Sequence, residues 1–507
     1  MKGMTRSLLA SVALCASVAN AAAPIVTTDL GQVKGIAVPE GYSYRGIPFA
    51  APPVGEGRWK APAPAKAWKG VRDASQFGYN CIQSERGREV GETSEDCLTL
   101  SVVTPEVGAK KLPVLVSIHG GAFAFGSGRY LADGGAAAIV KQGIVLVSPN
   151  YRVGRMGFFA HPALTAEAKG GATANFWLMD QIAALGWVRR NIDKFGGDPS
   201  NVTILGCSAG GSSVNQLLVA PSAKGLFAKA SVHSGGGVFN ASRSLEVAEK
   251  QGVAFADRTG IQGTDAAALA KLRKLTPAQV LAGDPGAPEF GAIVDGKLLP
   301  IGTAEAFATG AITKVPLFSG STSDEASVFG LMGFDKETLK DRFGVDVDAL
   351  RPIYEEAEGQ KLSDAELLRQ VQTDFIFTSA AMGVSGMADK AGLPSWGYHF
   401  GYVDAADQGK KPGVPHCGDM PYFFGTPKGT APADLKVSQT MQNYLVNFIK
   451  AGDPNGAGLP AWPRYQTPNA APLVVDKEIK AVPGFRAKQL EFFLNKGGDE
   501  MGHKIPR

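Results

Sequence analysis

The stretch Asn201–Val214, NVTILGCSAGGSSV, decides how this chain folds. Val202, Thr203, Ile204 and Leu205 form a short β-prone run, and a helical pattern begins after it. Between them, Gly206-Cys207-Ser208-Ala209-Gly210 has the spacing of a strand-to-helix elbow. In such an elbow two glycines make room for the turn and lift the serine hydroxyl clear of the sheet. The helix start that follows favours negative charge developing beside it. The pentapeptide alone does not establish a reactive serine, because Gly supplies 64 of 507 residues and such spacings recur by chance. The rest of the chain has to supply its partners.

Further strand-like runs occur at helix-sized intervals: Val114 to Ile118, Ile144 to Ser148, Ala230 to His233, Val315 to Ser319 and Tyr398 to Tyr402. Asn175 to Phe195, NFWLMDQIAALGWVRRNIDKF, has apolar residues at helical spacing. This alternation predicts an α/β fold with a large, mostly parallel sheet covered by helices on both faces. Ile25 to Val102 is Gly/Pro-rich with short extended pieces and reads as antiparallel edge strands. Residues from about 329 to 391 read as a helix-rich cap beside the site. Ligands of such sheets bind beyond the carboxyl ends of the strands, so the chemistry belongs in the loops after these runs.

Composition narrows the setting. Lys2 and Arg6, the apolar run Leu8 to Val18 and the small residues Ala19-Asn20-Ala21 have the form of an export signal over residues 1–21, leaving one domain over 22–507. Leu14 is bulkier than cleavage for lipidation at Cys15 prefers. The formal charge is +4, two of which lie in that leader, and no basic run offers a footprint for nucleic acid. No apolar run approaches the ~20 residues of a membrane span. Cys81, Cys97, Cys207 and Cys417 remain after the leader, an even number that fits two disulfides in an exported, secreted or periplasmic protein and not a zinc spacing. The short Ala-rich leader has a bacterial character, so the sequons at Asn201 and Asn240 carry little weight. Oligomeric state is not legible.

The loops supply the partners. His119-Gly120-Gly121 follows Ile118 directly, and its successive glycines can turn backbone N–H groups toward a substrate oxygen. With the N–H of Ala209, those of Gly120 and Gly121 make a three-donor oxyanion hole. A base poised near neutral pH calls for histidine, of which there are 6. His119 belongs to the glycine turn, His161 to a Phe-rich loop, His233 and His399 to strand-like runs, and His503 to a polar tail. His416, in the loop after Pro412-Gly413-Val414-Pro415, is the free imidazole. The acid should follow a strand between serine and histidine, where Asp324 and Glu325 stand side by side and spacing does not choose between them. Asp180 and Asp198 precede the serine and suit helix and turn roles. Phe123, Phe125, Phe329 and Tyr422 are lining candidates that core packing would explain equally well.

At this point the chain resembles the type B carboxylesterases, the cholinesterase-like α/β-hydrolases. The matching motifs run through nearly the whole mature sequence: Tyr44-Arg45-Gly46-Ile47-Pro48-Phe49-Ala50, Ser94-Glu95-Asp96-Cys97-Leu98, Asn150-Tyr151-Arg152, Phe195-Gly196-Gly197-Asp198-Pro199 and Gly452-Asp453-Pro454-Asn455. The resemblance implies a serine esterase acting through an acyl-enzyme, with Ser208 as nucleophile, Glu325 as acid and His416 as base. Gly120, Gly121 and Ala209 would form the oxyanion hole and Cys81–Cys97 would close an N-terminal loop; no metal or organic cofactor is implied. Rival readings are a non-catalytic binding module on the same fold, which would lack the serine or histidine, and a lipase or amidase.

Two departures stand beside the catalytic residues. Where such relatives carry glutamate before the serine and glycine after the histidine, this chain has Cys207 and Cys417. A Cys207–Cys417 disulfide is expected, tying the serine loop to the histidine loop as paired cysteines do in tannase-type feruloyl esterases. Loss of the glutamate disfavours cationic, choline-like esters and eases acceptance of neutral or anionic ones. Whether the ester is aliphatic, aromatic or polycarboxylate is not legible.

Overall fold

The computed structural model describes residues 23–84, 91–108, 110–239, 242–284, 290–331, 334–502 and 505. The leader over residues 1–21, Asn240 of the second sequon and His503 lie outside the described residues. A sheet of 11 strands organises the chain. In chain order these are β1 (Ile36–Val38), β2 (Gly41–Pro48), β3 (Thr99–Thr104), β4 (Leu112–Ile118), β5 (Val145–Pro149) and β6 (Gly197–Cys207). They continue with β7 (Lys229–His233), β8 (Leu317–Thr322), β9 (Ser395–Phe400), β10 (Leu473–Val475) and β11 (Ile479–Ala481). Across the sheet the order is β11-β10-β9-β8-β7-β6-β4-β5-β3-β2-β1. The stretch from β10 to β5 is parallel throughout. The N-terminal strands β1 to β3 are joined antiparallel, as is β11 at the far edge. This is the mostly parallel α/β sheet that the alternation of runs predicts, and the α/β-hydrolase architecture that the resemblance implies.

The central strands bury apolar side chains on both faces because both faces are covered. Side chains alternate between the faces: Val114, Val116 and Ile118 of β4 enter one core while Leu115 enters the other. In β6, Val202 and Ile204 enter the first core and Leu205 the second. The first core is closed by helices α1 (Phe176–Asn191), α2 (Ala209–Val219) and α3 (Ser379–Lys390). The second is closed by α4 (Pro432–Ala451), which buries Met441, Tyr444, Leu445, Phe448 and Ile449. The run Asn175 to Phe195 forms α1 and a single 3-10 turn, Ile192–Phe195, which Gly196 ends at φ 88°.

The helix-rich stretch after Phe329 divides in two. Lys336–Phe343, Val347–Glu358 and Asp364–Thr373 share a satellite core with Phe493 of the C-terminal helix α5 (Ala487–Met501). Helix α3, by contrast, buries Ala380, Met382, Val384 and Met387 in the first core. A π-helical turn, Asp374–Thr378, links the two and comes to lie at the site.

Replacing Phe448 with alanine should lower stability by about 3–5 kcal/mol, because its ring is fully buried against Phe318 and Trp396. Urea unfolding measures this, and turnover per folded molecule should be unchanged.

Candidate active site

Ser208 sits where β6 passes into α2, at φ 61° and ψ −129°. A side chain at positive φ costs roughly 1–3 kcal/mol and persists only where its surroundings hold it. Here the Ser208 N–H donates to His233 O at 3.0 Å, and Ser208 O accepts the N–H of Ser212 at 2.9 Å. The turn is also too tight for side chains: a Cβ on Gly206 would lie 2.3 Å from Gly210 C, and one on Gly210 would lie 2.2 Å from Ile118 O. Both glycines are therefore fixed by close backbone approach. Ala209 opens α2, so its N–H has no acceptor within the helix.

The turn after β4 lies against this elbow. A Cβ on Gly120 would be 2.7 Å from Cys207 O and 3.2 Å from Ser208 Cβ. Gly121 has φ +116°, and its carbonyl accepts the N–H groups of Ala124 and Phe125 at 2.9 and 3.1 Å. The N–H groups of Gly120 and Gly121 have no backbone acceptor among the described residues. The N–H of Ala209 thus lies outside the helix ladder and those of Gly120 and Gly121 lie outside the backbone ladder, on turns that meet at the elbow.

Glu325 follows β8 and is wholly buried. Its Oε1 accepts from Thr322 N–H at 2.7 Å and Ser234 Oγ–H at 2.6 Å, and its Oε2 is hydrogen-bonded to His416 Nδ1. Asp324, the neighbour that spacing leaves equivalent, faces Arg369 at 3.4 Å. Burial raises its pKa, against the pull of the guanidinium. The histidine loop is stitched onto the acid loop by Asp324 N–H to Val414 O, Val414 N–H to Ser323 Oγ and His416 N–H to Ser327 Oγ, each 2.9 Å. Cys207 and Cys417 are joined at 1.94 Å with Cα atoms 6.1 Å apart, so the residues next to them, Ser208 and His416, are neighbours. His416 Nε2 is buried with no partner among the described residues, leaving that nitrogen available as an acceptor. Cys81 and Cys97 form the second disulfide, S–S 2.02 Å.

The remaining described histidines are occupied elsewhere. His161 Nδ1 caps the helix Pro162–Glu167 through Ala163 N–H. His233 is buried with Ser231, Tyr398 and Asp419. His399 meets Ser321 Oγ and the Phe485 ring. Of the aromatic lining candidates, Phe123 packs in the first core on Phe158 and Trp177, and Tyr422 is buried in the second core with its hydroxyl on Asp404. Their apolar surface is spent on packing. Phe329 does approach the site, through a ring contact with Phe377, and the Phe377 ring lies 4.8 Å from that of His416. Phe377 and Ser234 are absent from the sequence reading. Ser234 could have been sought as the residue just after β7, whereas Phe377 depends on a π-turn that leaves no sequence pattern.

A surface cleft of about 450 Å³ shares no lining residue with these loops, and its Arg273 is already paired with Glu167. Among the described residues there is no cluster of three metal-ligating side chains, and no helix is long and apolar enough to cross a membrane.

Residues 22–493 match the model of a family described as the carboxylesterase family. The chain is similar to a fumonisin B1 esterase of Sphingopyxis macrogoltabida, 35% identical over 87% of this chain and 84% of that one. It is equally similar to a para-nitrobenzyl esterase of Bacillus subtilis, 35% identical over 90% of this chain and 95% of the relative. Among solved structures, a PNB esterase superposes with a TM-score of 0.78 at 31% identity, covering 92% of this chain and 99% of that chain.

Two measurements follow from this site. Burial lowers the pKa of His119 to about 4 and that of His399 to about 3 from the usual 6.5. The unfolded chain takes up protons below about 6.5 and the folded chain does not until lower pH, so stability falls with pH across that window. Each ring should contribute a loss of about 3 kcal/mol between pH 6.5 and 4; a urea midpoint that stays flat there would contradict it. Replacing Cys207 and Cys417 together with alanine reopens a loop spanning 210 residues. The thermal midpoint should drop, with about 5 kcal/mol as the ceiling of the chain-entropy effect, and kcat should fall more than KM changes.

Proposed function

The chain belongs to the carboxylesterase family and hydrolyses carboxylic esters, and from that premise we propose that Ser208, His416 and Glu325 carry the reaction. His416 Nε2 takes the proton of the Ser208 hydroxyl as its oxygen attacks the ester carbonyl. The carbonyl oxygen becomes an oxyanion, received by the N–H groups of Gly120, Gly121 and Ala209. His416 then gives its proton to the leaving alkoxide, and the alcohol departs. Water, deprotonated by the same imidazole, attacks the acyl-enzyme; collapse of the second tetrahedral intermediate frees the acid and returns the proton to Ser208. Glu325 holds the imidazole with Nδ1–H toward itself and stabilises the imidazolium that forms twice in the cycle. Every proton in this scheme stays on Ser208, His416, water or product, so the chemistry calls on no further group.

The observation that carries the assignment is the Glu325–His416 hydrogen bond, with Nε2 left unpartnered beside the serine loop. The residue before the serine supports a substrate preference: Cys207 is in a disulfide and brings no negative charge to the pocket. The reading is therefore of small neutral or anionic esters over cationic ones, with a para-nitrobenzyl ester as a first probe. A single catalytic domain over 22–507, exported after removal of residues 1–21, completes the proposal; its two disulfides suit an oxidising compartment.

Ser208→Ala should reduce kcat/KM on p-nitrophenyl acetate by on the order of 10⁴-fold or more with an unchanged thermal midpoint. Glu325→Gln should cost about 10³- to 10⁴-fold, while Asp324→Asn should cost less than about tenfold. Equal losses from the two acid variants would unseat Glu325.

A further inference from the structure

Peptide planarity ties each oxyanion donor to a carbonyl. A trans peptide directs its C=O and its N–H in opposite directions, so whatever fixes the carbonyl of one residue aims the N–H of the next. The N–H of Gly120 shares a plane with His119 O, and His119 O accepts the Tyr151 hydroxyl at 2.8 Å. The N–H of Gly121 shares a plane with Gly120 O, and Gly120 O meets His119 Nδ1 at 2.9 Å. We infer that Tyr151 and His119 are positioning residues of the ester hydrolase, each pinning one of the two peptide planes that present a donor to the oxyanion. This rests on the assignment of Gly120 and Gly121 to the oxyanion hole.

The two side chains are built as one unit. Their rings stack with centroids 4.2 Å apart and planes 14° from parallel, and both are buried. Burial keeps the imidazole neutral, with a pKa near 4, and pushes the phenol up, so each holds a single proton to donate at working pH. The imidazole proton belongs on Nδ1, because Gly120 O is the acceptor in reach of the ring and Nε2 has no partner among the described residues. The Tyr151 hydroxyl then has the His119 carbonyl as its acceptor. Neither group titrates during catalysis, which suits a clamp and not an acid or base.

Space around the clamp is reserved for it. A Cβ on Gly126 would lie 2.5 Å from Gly120 O and 2.6 Å from His119 Nδ1, inside the hydrogen bond itself, and Gly126 has φ +112°. Gln83 holds that glycine by both its backbone groups: its Oε1 accepts Gly126 N–H at 2.8 Å and its Nε2 donates to Gly126 O at 3.0 Å. The same Nε2 donates to the carbonyl of Cys81, at the N-terminal disulfide, at 3.0 Å. The Cys81–Cys97 disulfide is thereby connected through Gln83 to the glycine that lies against the clamp.

The test compares Tyr151→Phe, His119→Leu and His119→Asn. The first keeps the ring and its stack and loses one donor; the second loses the other donor; the third places an amide N–H about where Nδ1 stands. Readouts are kcat and KM on p-nitrophenyl acetate, and inhibition by an aryl trifluoromethyl ketone, whose serine adduct carries the oxyanion. Tyr151→Phe and His119→Leu should lower kcat by about 10- to 100-fold, less than the roughly 10²–10³ for deleting a donor outright. KM should stay within about threefold, ketone affinity should fall by the same factor as kcat, and His119→Asn should recover most of the loss. If His119→Asn is as impaired as His119→Leu, or kcat falls while ketone affinity is unchanged, the clamp is wrong. If His119→Leu does not fold, the near-isosteric Tyr151→Phe decides by the same two readouts. Should the unaltered enzyme fail to bind the ketone and Ser208→Ala stay active, the serine assignment falls and takes the clamp with it. That outcome is distinct from a failure of the clamp alone.

Discussion

Close backbone approach at one turn governs the architecture of the site. Ser208 is held at positive φ because β6 and α2 cross with no room for side chains at Gly206 or Gly210, and because His233 O and the Ser212 N–H take up both polar groups of its backbone. The turn carrying Gly120 rests directly on that elbow. Parallel strands bring these loops to one edge of the sheet, so a single constraint on backbone spacing places hydroxyl and amide donors together.

Glu325 and His416 come from farther along the chain and are held by polar contacts. Glu325 is buried with both oxygens engaged, which avoids the cost of an unpaired buried carboxylate. In the histidine loop Val414 is buried in the second core; hydrogen bonds to Ser323, Asp324 and Ser327 fix the loop, and the Cys207–Cys417 bond ties it to the serine loop. The π-turn Asp374–Thr378 adds Phe377 against the imidazole face. The elbow is thus secured by sterics together with backbone hydrogen bonds, and this loop by hydrogen bonds and a covalent cross-link.

Much of the fold was legible because its physics is periodic. Runs such as Val114 to Val116 can be apolar at every position only when both faces are covered, and that pattern is written in the residues themselves. The antiparallel start and the long helix after Asn175 follow from composition and spacing in the same way. The helical stretch after Phe329 was less well resolved by pattern. Helix α3 is built of small, mostly uncharged residues and the satellite helices are charged; α3 enters the first core while the satellite helices share a separate core with Phe493. Local propensity makes a helix without saying which core it enters. Aromatic residues behaved alike: Phe123, Phe329 and Tyr422 are of one chemical kind, and only Phe329 lies near His416.

What the sequence determined by itself was the class of fold, the family, and the types of residue available at strand ends: a serine between glycines, a glycine pair, a free histidine and two adjacent carboxylates. Spacing did not choose between Asp324 and Glu325, and only the resemblance pointed to Glu325, since neighbours in a chain are equivalent until a turn points them apart; in the folded protein Glu325 meets His416 and Asp324 meets Arg369. Nor could the sequence reveal that Tyr151, 32 residues from His119, reaches that residue's carbonyl. Hydrogen bonds between side chain and backbone depend on direction and on distances of a few ångströms, and those are settled only when distant segments pack.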